Sequence, residues 1–422
     1  MIPRPANYRR RPSPAGTNLN SRGCKPTGEA LPWPTDPAGV EPDARGMAAA
    51  GRFDFDRGAG LCSGVLASAF DFSLPPELIA QAPAAARDHS RLLVLLRPRS
   101  EIAHRQFANL SGYLRAGDVL VLNDSKVIPA RLRGSNTRTG GEFELLLLEE
   151  VGANDWWTMV RPGKRARTDT KIILRNRDGD LTGVHATIID KNSEGHRRLH
   201  FAGTPNLLAD LARLGEAPLP PYLKRARAAD RRTDRDRYQT VYAREAGSIA
   251  APTAGLHFTP KMLERIRGLG VKVCFVTLHV GLGTFAPVKT KTLADHVMHA
   301  ERFVIGADTA RIVNQAKRAG DRVIAVGTTT LRTLETAAMN GDGRIVAGAG
   351  RTRMFIHPPF EFRIVDGLLT NFHLPRSTLL MLVSAFAAPK ETQGRAVVLS
   401  AYAEAVRQRY RFFSYGDAML MV

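Results

Sequence analysis

The sequence predicts an α/β fold: a mixed-sheet α/β domain with an inserted small antiparallel β-barrel domain. Three observations predict it. Apolar runs such as VLVLN (residues 119–123) and RVIAVG (322–327) alternate with helical patterns, the arrangement of an α/β sheet. Between 130 and 217 the texture changes to six short runs of alternating polarity separated by turn signals, the pattern of a small barrel. A chain of 422 residues, 44% hydrophobic and 24% charged, is long enough for two or three domains with a sizeable core. The expected boundaries are a disordered or non-native N-terminal extension at 1–64, an α/β domain at 65–129 and 218–422, and the barrel at 130–217.

In chain order, the first segment stands apart. Nine prolines fall within its first 45 positions, and nine Lys+Arg face six Asp+Glu over residues 1–64. Such a segment cannot bury enough apolar surface to fold alone. A disordered tail, a basic arm and an upstream stretch foreign to the native product are the three readings. The last is preferred, with Met47, Val65 or Leu66 as alternative starts.

Folded structure is expected from Phe70, with a short extended piece and a Pro-initiated helix. A polar knot, Arg87, Asp88, His89, Ser90 and Arg91, then leads into the strand LLVLL. FANLSGYL reads as a helix and Gly117-Asp118 as a turn. The strand VLVLN ends on Asn123, Asp124, Ser125 and Lys126, at the carboxyl end where α/β folds place ligand contacts. ARLRG, FELLLLEE, WWTMVRP, KIILRN, HATIIDK and RRLHF supply the barrel strands, and NLLADLARLG is a helix leading back. From Tyr222 to Arg237, seven Lys/Arg and three Asp lie beside tyrosines, a composition that suits phosphate contact and base stacking as well as a solvated loop.

Residues 244–260, REAGSIAAPTAGLHFTP, are dominated by small side chains. Gly255 permits close approach of the backbone, Pro252 fixes a bend, and His257 follows. A ligand-approach loop and a plain tight core crossing are both open here. Thr259 and Pro260 are the N-cap and first residue of the helix KMLERIRGLG. VKVCFVTLHVGLGTFAPV is a strand running through His279 into Gly281, Gly283 and Thr284, a lone GxG that says little about nucleotides. His296, His299 and Glu301 contain an HxxH that could share a helix face, without a third metal ligand at standard spacing. ADTARIVNQAKRAGDRVIAVGTTTLRTLETAA is a helix, a buried parallel strand and a second helix opened by Thr328, Thr329 and Thr330. Hydroxyls and free amides at that junction would hold a carboxylate or phosphate, although threonine capping alone also explains them. RMFIHPPFEFRIVD reads as a strand before Asp366. Asn371, His373, Pro375, Arg376 and Ser377 form a polar loop before an apolar helix. A last helix ends in Phe412, Phe413, Tyr415 and Asp417.

The charge is the unusual bulk property: 60 Lys+Arg against 40 Asp+Glu, net +20. The excess lies in the folded part and favours a polyanionic partner, nucleic acid ahead of an anionic membrane. Cys24, Cys62 and Cys274 form no CxxC pair, which suits a reducing cytoplasm and argues against a disulfide framework or zinc site. The longest apolar run, residues 378–388, is about half of a bilayer span.

NDSKVIPARLRG, PLPPYL, RYQTVYAREAGSIAAPTAGLHFTP, LHVGLGTFAPV, MHAERF, VGTTTLRTLE, DGLLTNFHLPRSTLLMLVSAFA and YRFFSYGDAML together resemble the S-adenosylmethionine:tRNA ribosyltransferase-isomerase family of queuosine biosynthesis. The resemblance runs from about Phe70 to Val422 and leaves the first 64 residues without a counterpart. It implies an α/β domain with an inserted barrel. It implies a tRNA with a GUN-type anticodon, carrying 7-aminomethyl-7-deazaguanine at the wobble position. S-adenosylmethionine is the implied co-substrate, donating a ribosyl group; adenine and methionine leave and epoxyqueuosine-tRNA results. A cytoplasmic protein is expected, with a monomer as the simplest state and with no metal and no membrane.

That chemistry sets demands. A base must remove the proton that the sulfonium acidifies, and an acid should protonate departing adenine; histidine suits both near neutral pH. His257 and His279 are the first candidates, followed by His299, Glu301 and His373. Thr328, Thr329 and Thr330 are candidates for the methionine carboxylate, Gly255, Gly281 and Gly283 for close approach to the donor, and Asp124, Asp366 and Asp417 for ribose hydroxyls or charge balance. Arg91, Lys126, Arg131, Lys224 and Arg376 are candidates for tRNA phosphates. Replacing His257 or His279 by Ala is expected to abolish product formation while sparing the melting temperature. The rivals are a plain RNA-binding module, which would explain the charge alone, and an S-adenosylmethionine-dependent tRNA methyltransferase, which would need a glycine-rich first βα turn that the chain lacks.

Overall fold

The computed structural model describes residues 64–223, 234–281 and 288–422. The run VLVLN becomes β3 (Val119–Asn123), which lies between β12 (Lys272–Leu278) and β14 (Val323–Val326) and is parallel to both. β16 (Gly367–Asn371) extends the parallel set beyond β14. β17 (Ala418–Met421) follows, antiparallel to β16 and parallel to β1 (Arg91–Leu96), and β2 (Glu101–Gln106) closes that edge. On the other side β13 (Glu301–Ile305) and β15 (Gly348–Thr352) are added antiparallel, giving nine strands in the order β15-β13-β12-β3-β14-β16-β17-β1-β2. Every residue of β3, β14 and β16 is buried, as expected of strands covered on both faces.

Alternation along β3 sorts the two cores. Val119 and Val121 pack with the helices Ala307–Ala319, Thr328–Asn340, Thr378–Ala387 and Gly394–Arg407, while Leu120 and Leu122 pack with the helix Pro260–Gly268 and the 3-10 turn Phe107–Tyr113. Successive side chains on a strand point to opposite faces, so one run serves both layers. Thr259 caps the Pro260–Gly268 helix by accepting from the Met262 amide at 3.2 Å, with Pro260 in the first turn.

The six alternating runs close into a barrel in the order β10-β7-β6-β5-β8-β9, every neighbouring pair antiparallel. These are β5 (Arg131–Asn136), β6 (Glu142–Gly152), β7 (Asp155–Arg161), β8 (Lys171–Arg175), β9 (Leu181–Lys191) and β10 (Arg197–Ala202). The barrel has its own apolar core, which Leu207, Leu211 and Leu214 of the following helix complete. The chain leaves for the barrel through β4 (Ser125–Val127) and returns through β11 (Glu245–Ser248), and these two strands pair in parallel. Ser125 Oγ lies 3.2 Å from Ser248 Oγ, which accepts from the Val280 amide at 2.8 Å. Glu149 of β6 joins the barrel to the sheet edge, pairing with Arg351 and lying 3.5 Å from Arg302.

Several local expectations are corrected. The Pro-initiated helix is only a 3-10 turn, Pro76–Leu78, and FANLSGYL is likewise 3-10. Residues 353–366 form no strand; β15 precedes them, and Pro358 and Pro359 have no N–H to give a ladder. The HxxH lies in an irregular approach to β13, so His296 and His299 share no helix face. β17 is a strand that the sequence reading did not assign. No described helix is long and apolar enough to cross a membrane.

Candidate active site

The carboxyl ends of β12, β3, β14 and β16 point to one side of the sheet, and a pocket opens there. Its space, continuous with solvent, is about 610 Å³. Ala251, Pro252, Thr253 and Ala254 form one wall; Gly327, Thr328 and Thr329 at a helix start form another; Thr370 to Leu374 and Phe413 with Ser414 complete it. This is where an α/β sheet presents backbone ends and loops to a ligand. The small residues of the 244–260 stretch thus border a pocket. Gly255 has a different reason: a Cβ there would come within 2.0 Å of the Tyr242 hydroxyl, so the missing side chain makes room for that ring.

The helix Thr328–Asn340 begins after Gly327, whose φ of 91° suits glycine. No side chain caps its first turn. Thr328 and Thr329 line the pocket, while Thr330 turns inward and donates to the Val326 carbonyl at 2.8 Å. Asn123, at the end of β3, bonds the Leu278 amide and carbonyl at 3.0 Å each and reaches Thr329 Oγ1 at 3.4 Å, tying β3 to β12 and to this helix start.

Three histidines lie at this end of the sheet in different settings. His373 lines the pocket; its Nε2 is 2.9 Å from Thr370 Oγ1, and burial pushes the ring down to about 3. His257 sits behind the wall. Asn371 Nδ2 lies 3.1 Å from its Nε2, and Thr253 Oγ1 donates to Asn371 Oδ1 at 2.8 Å, which leaves the amide nitrogen as the donor. Nε2 is therefore the acceptor, and Nδ1 carries the proton toward Ser90 Oγ at 2.7 Å. Burial, with Arg411 and Arg87 adding to it, holds this imidazole near 3, so it is neutral. His279, at the end of β12, packs against Gly247. Its Nδ1 is buried with no hydrogen-bond partner among the described residues, and burial, then Arg302, lowers its pKa.

The remaining sequence candidates separate. Glu301 is committed to Arg332 at 2.5 Å in a buried ion pair and accepts from the Gly281 amide at 3.2 Å. His299 is exposed, 3.5 Å from Glu194 of the barrel. Asp124 is buried between Thr277 Oγ1 at 2.6 Å and Arg244 at 2.8 Å, and burial raises its pKa. Asp417 accepts from the amides of Arg91 and Arg411 at 2.9 and 2.8 Å. Asp366 bonds Lys317 at 2.8 Å and the Val323 amide, at the amino ends of β14 and β16; it is at the far end of the sheet from the pocket. Lys126 is exposed. Arg131 is half-buried, 3.9 Å from Glu144. Arg91 lies over the Tyr410 ring at 3.7 Å and donates to the Gln408 carbonyl, and Arg376 pairs with Asp71. Gly283 and Lys224 lie outside the described residues.

Ser90 and Asn371 are the side chains that orient His257. The sequence reading places both in polar stretches without a role, because 167 and 114 residues of chain separate them from the ring they hold.

The sheet-end pocket combines an uncapped helix start, small-residue walls and the neutral His373 ring, an arrangement able to accept a polar small molecule with an anionic group. The chain belongs to the queuosine biosynthesis protein family, whose model matches residues 67–421. Among solved structures it is similar to the S-adenosylmethionine tRNA ribosyltransferase of Thermotoga maritima, at 38% identity over 84% of this chain and 100% of that one, with a TM-score of 0.47.

Proposed function

We propose that this chain is an S-adenosylmethionine:tRNA ribosyltransferase-isomerase. It moves and rearranges the ribosyl moiety of S-adenosylmethionine onto 7-aminomethyl-7-deazaguanine at the wobble position of a GUN-anticodon tRNA in the cytoplasm, releasing adenine and methionine. Family membership over nearly all of the described chain supports the pathway. The observation that carries the chemistry is the pocket itself. Its uncapped helix start offers amides and the Thr328 and Thr329 hydroxyls to the methionine carboxylate. Ala251, Ala254, Val280 and Phe413 offer apolar surface to the adenosyl group.

In this reading His279, next to the pocket residue Val280, is the proton acceptor for the acidified 5′ carbon, since burial lowers its pKa and so favours the neutral, basic ring. His373 acts on departing adenine in this reading, a role supported by its place on the pocket wall. His257 acts as a positioning residue, fixing Asn371 at the wall through Nε2. The exposed Lys126 and the excess of cations attract the RNA backbone.

The test is incubation with labelled S-adenosylmethionine and tRNA bearing the precursor base. Free adenine and methionine are expected, in equal amounts. Release of S-adenosylhomocysteine would instead make the chain a methyltransferase, and no donor turnover would leave an RNA-binding module.

A further inference from the structure

A second, smaller cavity of about 270 Å³ lies beside His257, lined by Arg87, Arg237, Arg411, Ser90, Tyr415 and main chain. Ser414 borders both this cavity and the main pocket. Three guanidinium groups therefore meet one small space next to the proposed reaction site.

Most of their contacts are to neutral main-chain carbonyls. Arg87 donates to the carbonyls of Leu256 at 3.0 Å and Asp236 at 2.9 Å. Arg237 donates to the carbonyls of Ala84 at 2.6 Å and Ala85 at 3.2 Å. Arg411 donates to Ala82 O at 3.3 Å. Asp417 lies 3.4 Å from Arg411 and already serves two amides, and the buried Asp234 accepts from the cavity-lining Tyr415 hydroxyl at 2.8 Å. A guanidinium has five N–H donors, so each retains some after these bonds. Neutral His257 adds no charge, and its Nδ1 proton is spent on Ser90. Gathering like charges in a half-buried cleft is unfavourable unless an anion completes the set.

We propose that this cavity is an oxyanion subsite in which Arg87, Arg237 and Arg411 hold a phosphodiester group flanking the modified nucleotide. The proposal rests on the RNA-modifying reading above. A base seated in the main pocket brings its own backbone phosphates to the neighbouring space, and planar guanidinium donors match phosphate oxygens in geometry as well as charge.

The experiment uses the full chain and an anticodon stem-loop RNA carrying 7-aminomethyl-7-deazaguanine. RNA affinity is measured across a salt series, together with the KM for S-adenosylmethionine. Arg237→Gln and Arg411→Gln are each expected to weaken RNA binding about tenfold, the loss of one charged contact. Each should also flatten the slope of log affinity against log salt by about 0.7, with the donor KM unchanged. Arg237→Lys, which keeps the charge, should keep the slope, so that a merely structural role is told apart. Inorganic phosphate should compete with RNA and not with donor. Unchanged RNA affinity and slope in both glutamine variants overturn the subsite, as does a rise confined to the donor KM, which would make the anion the methionine carboxylate. Adenine release by the wild-type chain on the same RNA separates the two claims. Release with unchanged slopes sinks the subsite alone; no release sinks the functional reading and the subsite with it.

Discussion

His257 and His373 make stability depend on acid in a defined direction. Burial holds both rings near 3 in the folded chain, whereas an unfolded histidine titrates near 6.5. Between those values the unfolded state binds protons that the folded state refuses, so stability is full above about pH 6.5 and falls as the pH drops toward 3. The slope approaches about 1.4 kcal/mol per pH unit for each ring. Thermal midpoints measured from pH 7.5 to 4.5 should decline, and His257→Asn should flatten the decline; parallel curves for the two proteins would contradict the assignment. The same geometry revises the expectation that His257→Ala spares the melting temperature. Removing the ring leaves Ser90 and Asn371 buried beside a void, at a cost of about 1–3 kcal/mol for each unsatisfied group. Activity lost in that variant would mix folding with chemistry, and His279→Ala is the cleaner probe.

At the scale of elements, the informative residue is Gly247 in β11. Its φ of 142° and the His279 ring, 2.8 Å from where a Cβ would stand, leave no room for a side chain. Gly247→Ala is expected to lower stability by about 1–3 kcal/mol through backbone strain. It should also reduce kcat by displacing His279, with RNA affinity preserved. Wild-type turnover in this variant would detach His279 from catalysis. This contact was not legible in the sequence, where Gly247 was one of many small residues and His279 stood in a strand more than thirty positions on. Elements defined by their own pattern were legible: VLVLN, RVIAVG and the Thr259-Pro260 helix start form as read, because burial on both faces and capping are local properties. β2, EIAHRQ, carries no strand signal because its polar residues face solvent at a sheet edge, and β17 none because AMLM is too short to show a period. The carboxyl-end position of the site could be read from Asn123 and the Thr328 cluster. The separation of Asp366 from it could not, since that depends on strand direction across β14 and β16.

The whole molecule carries cores that do not merge. The barrel's apolar interior is distinct from the two packed against the sheet; Glu149 with Arg302 and Arg351 gives a polar link between them, and a small fourth cluster packs Val127 and Leu223, which flank the barrel, with Ala251, Leu256 and Tyr415. Exposed ion pairs contribute little, about 0–1 kcal/mol each, so the two parts are expected to unfold as separate cooperative units. Calorimetry should then give a calorimetric enthalpy above the van't Hoff value; a single two-state transition would show tighter coupling. The six barrel strands were readable as a group because alternation repeats and turns punctuate it. Where the insertion is anchored was not, because β4 and β11 are short and more than a hundred residues apart.

That anchorage frees the insertion to vary. Both ends of the inserted module are clipped side by side, with Ser248 holding Ser125 and the Val280 amide. Its turns at Gly140 and Gly179 have open space around them. Tags, spectroscopic probes or longer loops grafted at those tips leave the tether's spacing fixed and the sheet-end pocket untouched.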